Sequence, residues 1–416
     1  MNILIAHFCT HWVQCSGGVE KATVGFANEL ARRGHSVTIL YLDQEEGNPY
    51  FSLDRQVVTE NILFKNHRQV ISQKLPVFHR IYREILRPFG LKGPKHVNAV
   101  YKGKQYGRRI SECLSKYSPD VVVACSPLSA KYVIADGRCQ VPVVLMDHDD
   151  CNISMPLLSR EELQAMGKCK FIQVLLHSFV PVTKKYLPDV PVYVIGNIVE
   201  EAKKQAFPGK AKKQYIISCV GSVSHRKNQE LLVEAFSKVS KQFPDWNVEI
   251  FGGGEDSNYG KSVKKLIEEK QLDRRVYLRG STRNIADVYA KSDIFATTST
   301  LESWGIALTE AMAAGLPCVG LKSCSGINEL ILDGETGFLT SSSAEDYSTA
   351  LQKLMESIEL RGKMGKAGRL RMEEFREDRI IDRWENLLLH VVSEVKYIKD
   401  ILGIVSGRLV YGKRSN

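Results

Sequence analysis

Residues 293–319 read DIFATTSTLESWGIALTEAMAAGLPCV, and this stretch contains the unit from which the fold is inferred. The run 293–297 is apolar and rich in β-formers, and 306–314 has the periodicity of a helix. A second apolar run, 318–319, follows the helix after Gly-Leu-Pro. Continuous apolar strands joined by a helix are typical of a parallel sheet that is covered on both faces. The stretch therefore predicts one β–α–β unit.

The same alternation of strands and helices continues through all 416 residues. The predicted strands lie at 2–7, 36–42, 120–125, 141–147, 171–175, 192–195, 215–220, 246–251, 276–278, 293–297 and 318–319. A chain of this length holds two or three domains. We therefore predict an α/β protein of two doubly wound, Rossmann-like domains that face each other across a cleft. In such sheets the loops at the carboxyl ends of the strands bind the ligand.

The domain boundaries are predicted from composition. Residues 200–213 are rich in Lys, Ala, Gln, Gly and Pro and lack apolar periodicity, which is typical of a linker. We place the first domain at 1–197, the linker at 198–213 and the second domain at 214–377. The last segment, 378–416, begins with one long helical period. Its apolar face predicts that this helix packs back on the first domain.

The net charge of +10 is concentrated in one part of the chain. Between Lys65 and Arg109 there are twelve Lys or Arg residues and one acid, so the rest of the chain has a balance of −1. Such a concentration implies one anionic partner surface. Within it, residues 76–88 have the pattern of an amphipathic helix, with Arg80, Arg83 and Arg87 opposite the apolar side chains.

The pattern of this basic helix is compatible with three interpretations. It binds an anionic membrane surface, it packs on the first sheet with its cations in solvent, or it binds nucleic acid. No nucleic-acid-binding motif accompanies the charge, so no nucleic-acid partner is predicted. We favour the membrane, and the packed helix stays open as an alternative.

Cysteine spacing and apolar runs predict the compartment. The ten cysteines show no Cys-x-x-Cys spacing and no nearby His pair, so no zinc site is predicted. Their neighbours are apolar, which favours buried free thiols in a reducing compartment. The N-terminus lacks signal-peptide features, and no apolar stretch is long enough to span a bilayer. We expect a cytoplasmic protein, with peripheral contact to the inner face of the plasma membrane.

Three glycine-rich turns follow predicted strands. They are Ser16-Gly17-Gly18-Val19-Glu20, the segment from Gly221 to Asn228 that contains Arg226-Lys227, and Gly252-Gly253-Gly254. Glycines allow backbone N–H groups to approach a phosphate at a helix N-terminus. Each turn alone is also explained as a tight turn. Together, and with paired cations in one of them, they indicate a nucleotide diphosphate ligand.

Competing nucleotide-binding motifs are absent from the sequence. The dinucleotide fingerprint Gly-x-Gly-x-x-Gly fails after Gly252 because its last position is Ser257. The chain has no Gly-x-x-x-x-Gly-Lys-Ser/Thr phosphate loop, and no tyrosine is followed by Lys four residues later. Dinucleotide-dependent reductases, P-loop enzymes and sugar epimerases are therefore disfavoured.

The strongest functional signal is the pair Glu302 and Glu310, which flank a predicted loop-to-helix junction. Between them Gly305 begins the helix and exposes unpaired N–H donors. Carboxylates accept hydrogen bonds from vicinal sugar hydroxyls, and a helix N-terminus suits a phosphate. One glutamate would hold a sugar and the other a ribose, with the diphosphate between them.

These features resemble the family-4 retaining glycosyltransferases (glycosyl transferases group 1), which have the GT-B architecture. Gly17-Gly18-Val19-Glu20 resembles their N-terminal donor loop. Residues 302–310 match their Glu-x(7)-Glu signature, and the following Ala-Met-Ala-x-Gly-x-Pro matches as well. The turn at 329–339 is also similar, so that the resemblance covers nearly the whole chain. It implies an acceptor-binding first domain and a second domain that binds a nucleotide-sugar.

The resemblance also implies roles for individual residues. Glu302 would hold hydroxyls of the transferred sugar, Glu310 the ribose, and Lys227 the leaving diphosphate. The other implied donor-binding residues are Gly17, Gly18, Gly253, Ser303, Trp304, Gly305 and Ile306. No metal or other cofactor is then expected, and Asp147-His148-Asp149 is not predicted to be a metal site.

Two departures from the family pattern bear on catalysis. Ser222 stands where the family usually has Arg, and Arg226 is the candidate substitute. Cys125 stands in the acceptor-side turn where many members have His. These departures motivate the alternative that the chain is a sugar-nucleotide-binding homologue with impaired catalysis.

His148, after the next strand, is the available imidazole. The acceptor-side acids Asp147 and Asp149 would raise its pKa and orient it toward an acceptor hydroxyl. A surface histidine that caps a strand end is an equally open interpretation.

From the sequence we predict a retaining, metal-independent glycosyltransferase. It would move a hexose or N-acetylhexosamine from a UDP-sugar, or less favourably a GDP-sugar, to a glycan or lipid-linked glycan in cell-envelope polysaccharide synthesis. A glycan phosphorylase of related architecture is a third class, which would contain a pyridoxal cofactor.

Overall fold

The computed structural model describes residues 1–71, 76–78, 80–81 and 92–401, which form two parallel sheets. The first sheet has seven strands in the order β3-β2-β1-β6-β7-β8-β9. These strands are β1 (Asn2–His7), β2 (Ser36–Tyr41), β3 (Val58–Asn61), β6 (Val121–Ala124), β7 (Val143–Met146), β8 (Ile172–Val174) and β9 (Val192–Val194). A short antiparallel hairpin, β4 (Phe64–Lys65) and β5 (Arg68–Gln69), follows the edge strand β3.

The second sheet has six strands in the order β12-β11-β10-β13-β14-β15. They are β10 (Tyr215–Val220), β11 (Trp246–Phe251), β12 (Val276–Leu278), β13 (Ile294–Ala296), β14 (Cys318–Leu321) and β15 (Gly337–Thr340). In both sheets the chain starts near the middle, builds outward to one edge and then returns to build toward the other. This doubly wound order is the one predicted, and the α/β prediction of two Rossmann-like domains is confirmed.

Helices connect the strands and cover both sheets. They are α1 (Gly18–Arg32), α2 (Lys92–Tyr117), α3 (Pro127–Lys131), α4 (Cys151–Ser154), α5 (Arg160–Met166), α6 (Val180–Tyr186), α7 (Gln229–Val239), α8 (Asn258–Glu269), α9 (Ile285–Lys291), α10 (Ile306–Ala313), α11 (Ser325–Asn328), α12 (Ala344–Glu356), α13 (Ile358–Met372) and α14 (Glu377–Ile401). A π-helical turn, Tyr132–Asp136, extends α3. Three 3₁₀ turns lie at Met155–Leu157, His177–Phe179 and Glu373–Phe375.

The last helix returns to the first domain, as its apolar face predicted. The Trp384 ring on α14 lies 5.0 Å from the Phe26 ring on α1 and 5.9 Å from Phe171, measured between centroids. At the rim of this contact Arg33 forms ion pairs with Asp382 and Glu385. The first domain therefore buries side chains from both ends of the described chain in one core.

The ten cysteines are all free, and seven of them are buried. Of the helices that the structure describes, none is long and apolar enough to cross a membrane. Of the predicted basic helix, Arg83 and Arg87 lie outside the described residues. Arg80 is described and is exposed, and Phe78 beside it is 83% exposed. The exposed Phe78 argues against the interpretation that this face packs on the first sheet.

Candidate active site

Two glycine turns of the second domain lie against each other at the carboxyl edge of the sheet. Because β10 and β11 are parallel neighbours, the turns that follow them emerge side by side. The N–H of Val223 donates to the carbonyl of Gly253 at 2.8 Å. Gly252 has a φ of +147°, and a Cβ there would collide with the carbonyl of Gly221. Only glycine permits this close approach, which keeps the edge open to a ligand.

Glu302 is buried and lies at the centre of a charge cluster at the same edge, in which Lys227 is half-buried and Arg226 is exposed. The Lys227 ammonium donates to one oxygen of its carboxylate, and the Arg226 guanidinium lies 3.8 Å from the other. Two backbone ties hold these loops together: Thr298 Oγ1 donates to the carbonyl of Lys227 at 2.9 Å, and Thr300 N–H to that of Arg226 at 2.9 Å. The side chain of Arg226 is thus directed at Glu302, where a charged ligand would be held between cation and carboxylate.

Gly305 begins α10 in a left-handed conformation with a φ of +77°. A Cβ at this position would stand 2.9 Å from the carbonyl of Gly326, and the N–H of Gly326 donates to the carbonyl of Glu302 at 2.9 Å. The turn therefore fixes Glu302 and half-buried Ser303 immediately before the helix N-terminus. The unpaired N–H groups of that N-terminus, including Ile306, are available to an anion.

The Trp304 side chain serves a different purpose from the one implied for its backbone. Its ring is buried, packs on Phe375 with centroids 5.0 Å apart, and covers Gly196. It therefore packs at both places where the chain passes between the domains, before the linker and again before α14. Only the backbone of Trp304 remains for the predicted donor contact.

Glu310 lies on α10 and reaches across the cleft to the first domain. Its carboxylate accepts hydrogen bonds from the Tyr289 hydroxyl at 2.9 Å and from the Lys21 ammonium. Next to this pair, a Cβ on Gly18 would come 3.0 Å from the Ile306 side chain. The two helix N-termini, of α1 and α10, thus face each other, as the two donor motifs require. Sequence reasoning missed Lys21, although it directly follows Gly17-Gly18-Val19-Glu20.

Behind the donor loop, Glu20 is buried against Gly17, which caps the N-terminus of α1. The carboxylate of Glu20 accepts a hydrogen bond from Thr10 Oγ1 and lies 3.6 Å from His7 Nε2. These two residues stand at and just after the end of β1. Their polarity at the end of an apolar strand was the sequence signal that could have identified them.

His148 and Cys125 lie at the same edge, after β7 and β6. Thr23 Oγ1 is 3.3 Å from His7 Nδ1 and 3.9 Å from Cys125 Sγ. The electrostatic neighbours of His148 are His7 and Glu20, which places its imidazole near the donor loop. Burial raises the pKa of the Cys125 thiol well above its usual range, so that this cysteine is a neutral, inert neighbour.

Two predictions about His148 are wrong. It is only 8% exposed and is not a surface cap. Burial, reinforced by His7, lowers its pKa to about 4, although Glu20 acts in the opposite direction. The neighbouring acids do not supply the expected counter-charge, because burial and Asp149 together raise the pKa of Asp147 to about 7. His148 is therefore a neutral imidazole at pH 7.

Among the described side chains His148 Nε2 has no hydrogen-bond partner, although it is buried. A buried ring nitrogen without a partner is available to a ligand hydroxyl. Across the part of the chain that the structure covers, no group of three or more His, Cys, Asp or Glu residues could hold a metal ion.

Comparisons with known proteins agree with this geometry. The family described as Glycosyltransferase Family 4 matches residues 16–200, and the family described as Glycosyl transferases group 1 matches residues 200–371. A glycosyltransferase of Haemophilus influenzae is 23% identical over 90% of this chain and 96% of that protein. The N-acetyl-alpha-D-glucosaminyl L-malate synthase of Bacillus anthracis is 26% identical over 72% of this chain and 74% of its own length.

A solved structure extends the comparison to the fold. The pneumococcal O-GlcNAc transferase GtfA, in complex with UDP and GlcNAc, has a TM-score of 0.71 at 14% identity, covering 94% of this chain and 99% of that one. Fold, site and family matches together define a glycosyltransferase of the GT-B class. Within that class, this chain belongs to the family-4 glycosyltransferases.

Proposed function

We propose that this enzyme transfers a hexose or N-acetylhexosamine from a UDP-sugar to a glycan or lipid-linked glycan acceptor in cell-envelope polysaccharide synthesis, with retention of anomeric configuration. The observation that carries the proposal is the cluster of Glu302, Lys227 and Arg226 at the N-terminus of α10, with Glu310 one and a half turns further on. This arrangement offers two carboxylates for hydroxyl groups, with two cations and a helix N-terminus for the diphosphate between them.

The site residues act mainly by stabilising the negative charge that develops on the leaving diphosphate. As the bond between the anomeric carbon and the diphosphate oxygen breaks, negative charge builds on the diphosphate. Lys227, Arg226 and the N–H groups at Gly305 and Ile306 stabilise that charge, and preorganised donors of this kind are usually the largest catalytic contribution. The acceptor hydroxyl then bonds to the anomeric carbon on the same face, and its proton passes to the departing diphosphate oxygen. No metal is needed for this step.

His148 is assigned the positioning of the acceptor. A neutral imidazole accepts a hydrogen bond through one nitrogen, so Nε2 suits the acceptor hydroxyl. Thr10, Glu20 and His7 fix the polar wall beside it. Of the two predicted acceptor-side acids, Asp149 is exposed and would line the acceptor side, whereas Asp147 is buried and is not available to an acceptor.

The choice of a UDP-sugar is supported by the relatives. The pneumococcal structure contains UDP and GlcNAc, and the name of the Bacillus anthracis relative denotes transfer of an N-acetylglucosaminyl group.

The proposal is tested with Glu302→Gln, measured as donor hydrolysis without acceptor across a panel of sugar nucleotides. Loss of the carboxylate that holds the sugar should lower hydrolysis of the preferred donor by about 100-fold or more. Binding of UDP alone should be kept or become tighter, because UDP lacks the sugar and Lys227 and Arg226 lose the carboxylate that competes with the diphosphate. The matched control is Glu335→Gln, at an exposed glutamate of the same domain. Unchanged hydrolysis in Glu302→Gln would refute the assignment, and wild type that binds UDP without any hydrolysis or transfer would favour the impaired homologue.

A peripheral membrane contact through Arg80, Arg83 and Arg87 belongs to the same proposal. It is supported by the concentration of basic charge in the first domain and by the exposed apolar side chains of Val77, Phe78 and Ile81. Basic and aromatic side chains together suit an anionic bilayer surface.

A further inference from the structure

A second concave site lies on the first domain. It is a groove of about 1100 Å³ between the edge strand β3, the hairpin β4–β5 and the second half of α2. None of the residues that line it belongs to the donor or acceptor site described above. The groove coincides with the part of the chain in which the net charge is concentrated, since Lys65, Lys104, Arg108 and Arg109 all line it.

The far wall of the groove is set by a close helix contact. Gly103 and Gly107 stand one turn apart on α2, and a Cβ on Gly107 would collide with the carbonyl of Asp136. Because glycine has no side chain, the end of the π-helical turn can lie directly against α2 at these two positions. This contact brings exposed Arg138 to the same groove as exposed Lys104 and Arg108.

Three of the four acids that line the groove are already paired with lysine or arginine: Glu60 with Arg109 and Lys116, Glu112 with Lys65 and Arg109, and Asp136 with Lys131. The fourth, Glu46, lies 3.0 Å from His67 Nδ1. Lys104 and Arg138 have no acidic partner among the described residues. Arg108 is 86% exposed and has only a 3.8 Å contact with Glu112. Three cations are therefore left for an external anion.

The remaining lining fits a carbohydrate. Asn66, Ser111 and Ser115 offer amide and hydroxyl groups, and Phe64 and Tyr117 contribute half-buried aromatic rings, with the Lys116 ammonium 4.6 Å from the Tyr117 ring centroid. Hydroxyl partners and aromatic rings beside cations suit a sugar chain that carries negative charge. A free phosphate would fill a small part of this volume, and a flat bilayer surface cannot enter a concave site.

We propose that this groove binds an anionic glycan chain, held outside the catalytic cleft by Lys104, Arg108 and Arg138. The choice of a glycan rests on the proposed function, whereas the anionic character rests on the three cations alone. A chain held there would keep a growing polymer on the enzyme between transfers, because a second contact raises the effective concentration of the acceptor end at the cleft.

The test measures binding of hexagalacturonate to the full chain by calorimetry, with neutral maltohexaose and a single-stranded DNA hexamer as comparison probes. The groove variant combines Lys104→Gln, Arg108→Gln and Arg138→Asn. Asn is chosen for the last position because Arg138 has a φ of +52°, which Asn tolerates. The control variant, Lys241→Gln with Lys270→Gln and Arg274→Gln, removes the same charge from exposed sites of the second domain.

Wild type should bind hexagalacturonate more tightly than either comparison probe, and added salt should weaken the binding. The groove variant should lose about tenfold or more in affinity, and the control variant should change by less than about twofold. UDP binding should be unchanged in both, which shows that the groove variant is folded and its donor site intact.

Three results would overturn the proposal: no binding of hexagalacturonate by wild type, equal losses in groove and control variants, or DNA bound as tightly through the same three residues. Should UDP binding be lost in the groove variant, the single variant Arg108→Gln, at an exposed position, replaces it with the same criteria. A wild type that binds hexagalacturonate but not UDP or any sugar nucleotide would leave the groove standing and refute the proposed function.

Discussion

Lys21 and Glu310 form an ion pair across the cleft although they are 289 positions apart in the chain. Glu310 is the residue assigned to the ribose, so the lysine occupies the place that the ribose hydroxyls would take. If Glu310 binds the ribose as proposed, a nucleoside must displace Lys21 before it can bind. The pair is about a quarter exposed on each side, so its contribution is that of a modest surface pair.

Lys21→Met should consequently tighten the binding of uridine by about two- to fivefold, since the competing ion pair is gone. Uridine is the right probe because it lacks the phosphates that Lys21 could also contact. The affinity is measured by NMR titration, with Lys21→Arg as the control that keeps the pair. Weaker or unchanged uridine binding in Lys21→Met would show that Glu310 does not hold the ribose.

His148 and Asp147 are adjacent residues with opposite pH behaviour. The pKa of His148 is lowered from 6.5 to about 4, so its contribution to stability is complete above pH 6.5 and is lost as the pH falls toward 4. The pKa of Asp147 is raised from 3.8 to about 7, so its contribution is complete below pH 3.8 and is lost as the pH rises toward 7. Between pH 4 and 7, a rise in pH therefore increases the free energy of unfolding through His148 and decreases it through Asp147.

Single substitutions should separate these two contributions to the pH dependence of stability. Relative to wild type, His148→Gln should gain unfolding free energy as the pH is lowered from 7 to 4, and Asp147→Asn should gain it as the pH is raised over the same range. Urea denaturation at several pH values measures both, with exposed His390→Gln as the control. Parallel profiles for wild type and His148→Gln would mean that His148 is not buried in its neutral form.

For individual residues, the sequence predicted which side chains come together better than it predicted their burial or their contacts with the other domain. Glu302, Lys227 and Arg226 are brought together as the motif implied, because a short stretch of chain fixes each loop. His148 was assigned a raised pKa, since the adjacent acids are visible in the sequence while its burial is not. Lys21 was missed for a similar reason, because its partner belongs to the other domain.

Among the helices and strands, α14 shows most clearly that one domain depends on a distant segment of the chain. Trp384→Ala should lower the free energy of unfolding by about 3–5 kcal/mol, because the ring fills the core between α1 and β8. Chemical denaturation measures the loss. Leu389→Ala on the same helix is the control, since that side chain is 46% exposed and should cost little. Equal losses for the two variants would show that α14 does not complete the core.

The central strands and two of the four edge strands, β9 and β12, were predictable from the sequence, whereas the other two edge strands were not. The runs at 2–7, 215–220 and 246–251 match β1, β10 and β11 residue for residue. The edge strands β3 and β15 were missed, because VTEN contains too few apolar residues and GFLT begins with a glycine. Gly337 is required there, since a Cβ would collide with the carbonyl of Cys318. After Lys131, α3 is continued by the π-helical turn Tyr132–Asp136, which no sequence periodicity indicated.

For the molecule as a whole, the excess positive charge lies in the first domain, away from the proposed donor-binding cluster of the second. If the basic helix binds a membrane, replacing Arg80, Arg83 and Arg87 with Ser should reduce partitioning onto anionic vesicles by about tenfold or more, because each basic residue contributes to the attraction. Vesicle sedimentation measures it, with Lys241, Lys270 and Arg274 changed to Ser as the control of equal charge. Unaltered partitioning would mean that these arginines form a solvated face only.

The return of α14 to the first domain also has a consequence for synthesis of the chain. Phe26 and Phe171 are made early, whereas Trp384, which covers them, is made more than two hundred residues later. At ordinary translation rates that interval is roughly 10–40 s. During it the first domain cannot complete its core, and the apolar surface of Phe26 and Phe171 that Trp384 covers stays open to aggregation until the last helix emerges.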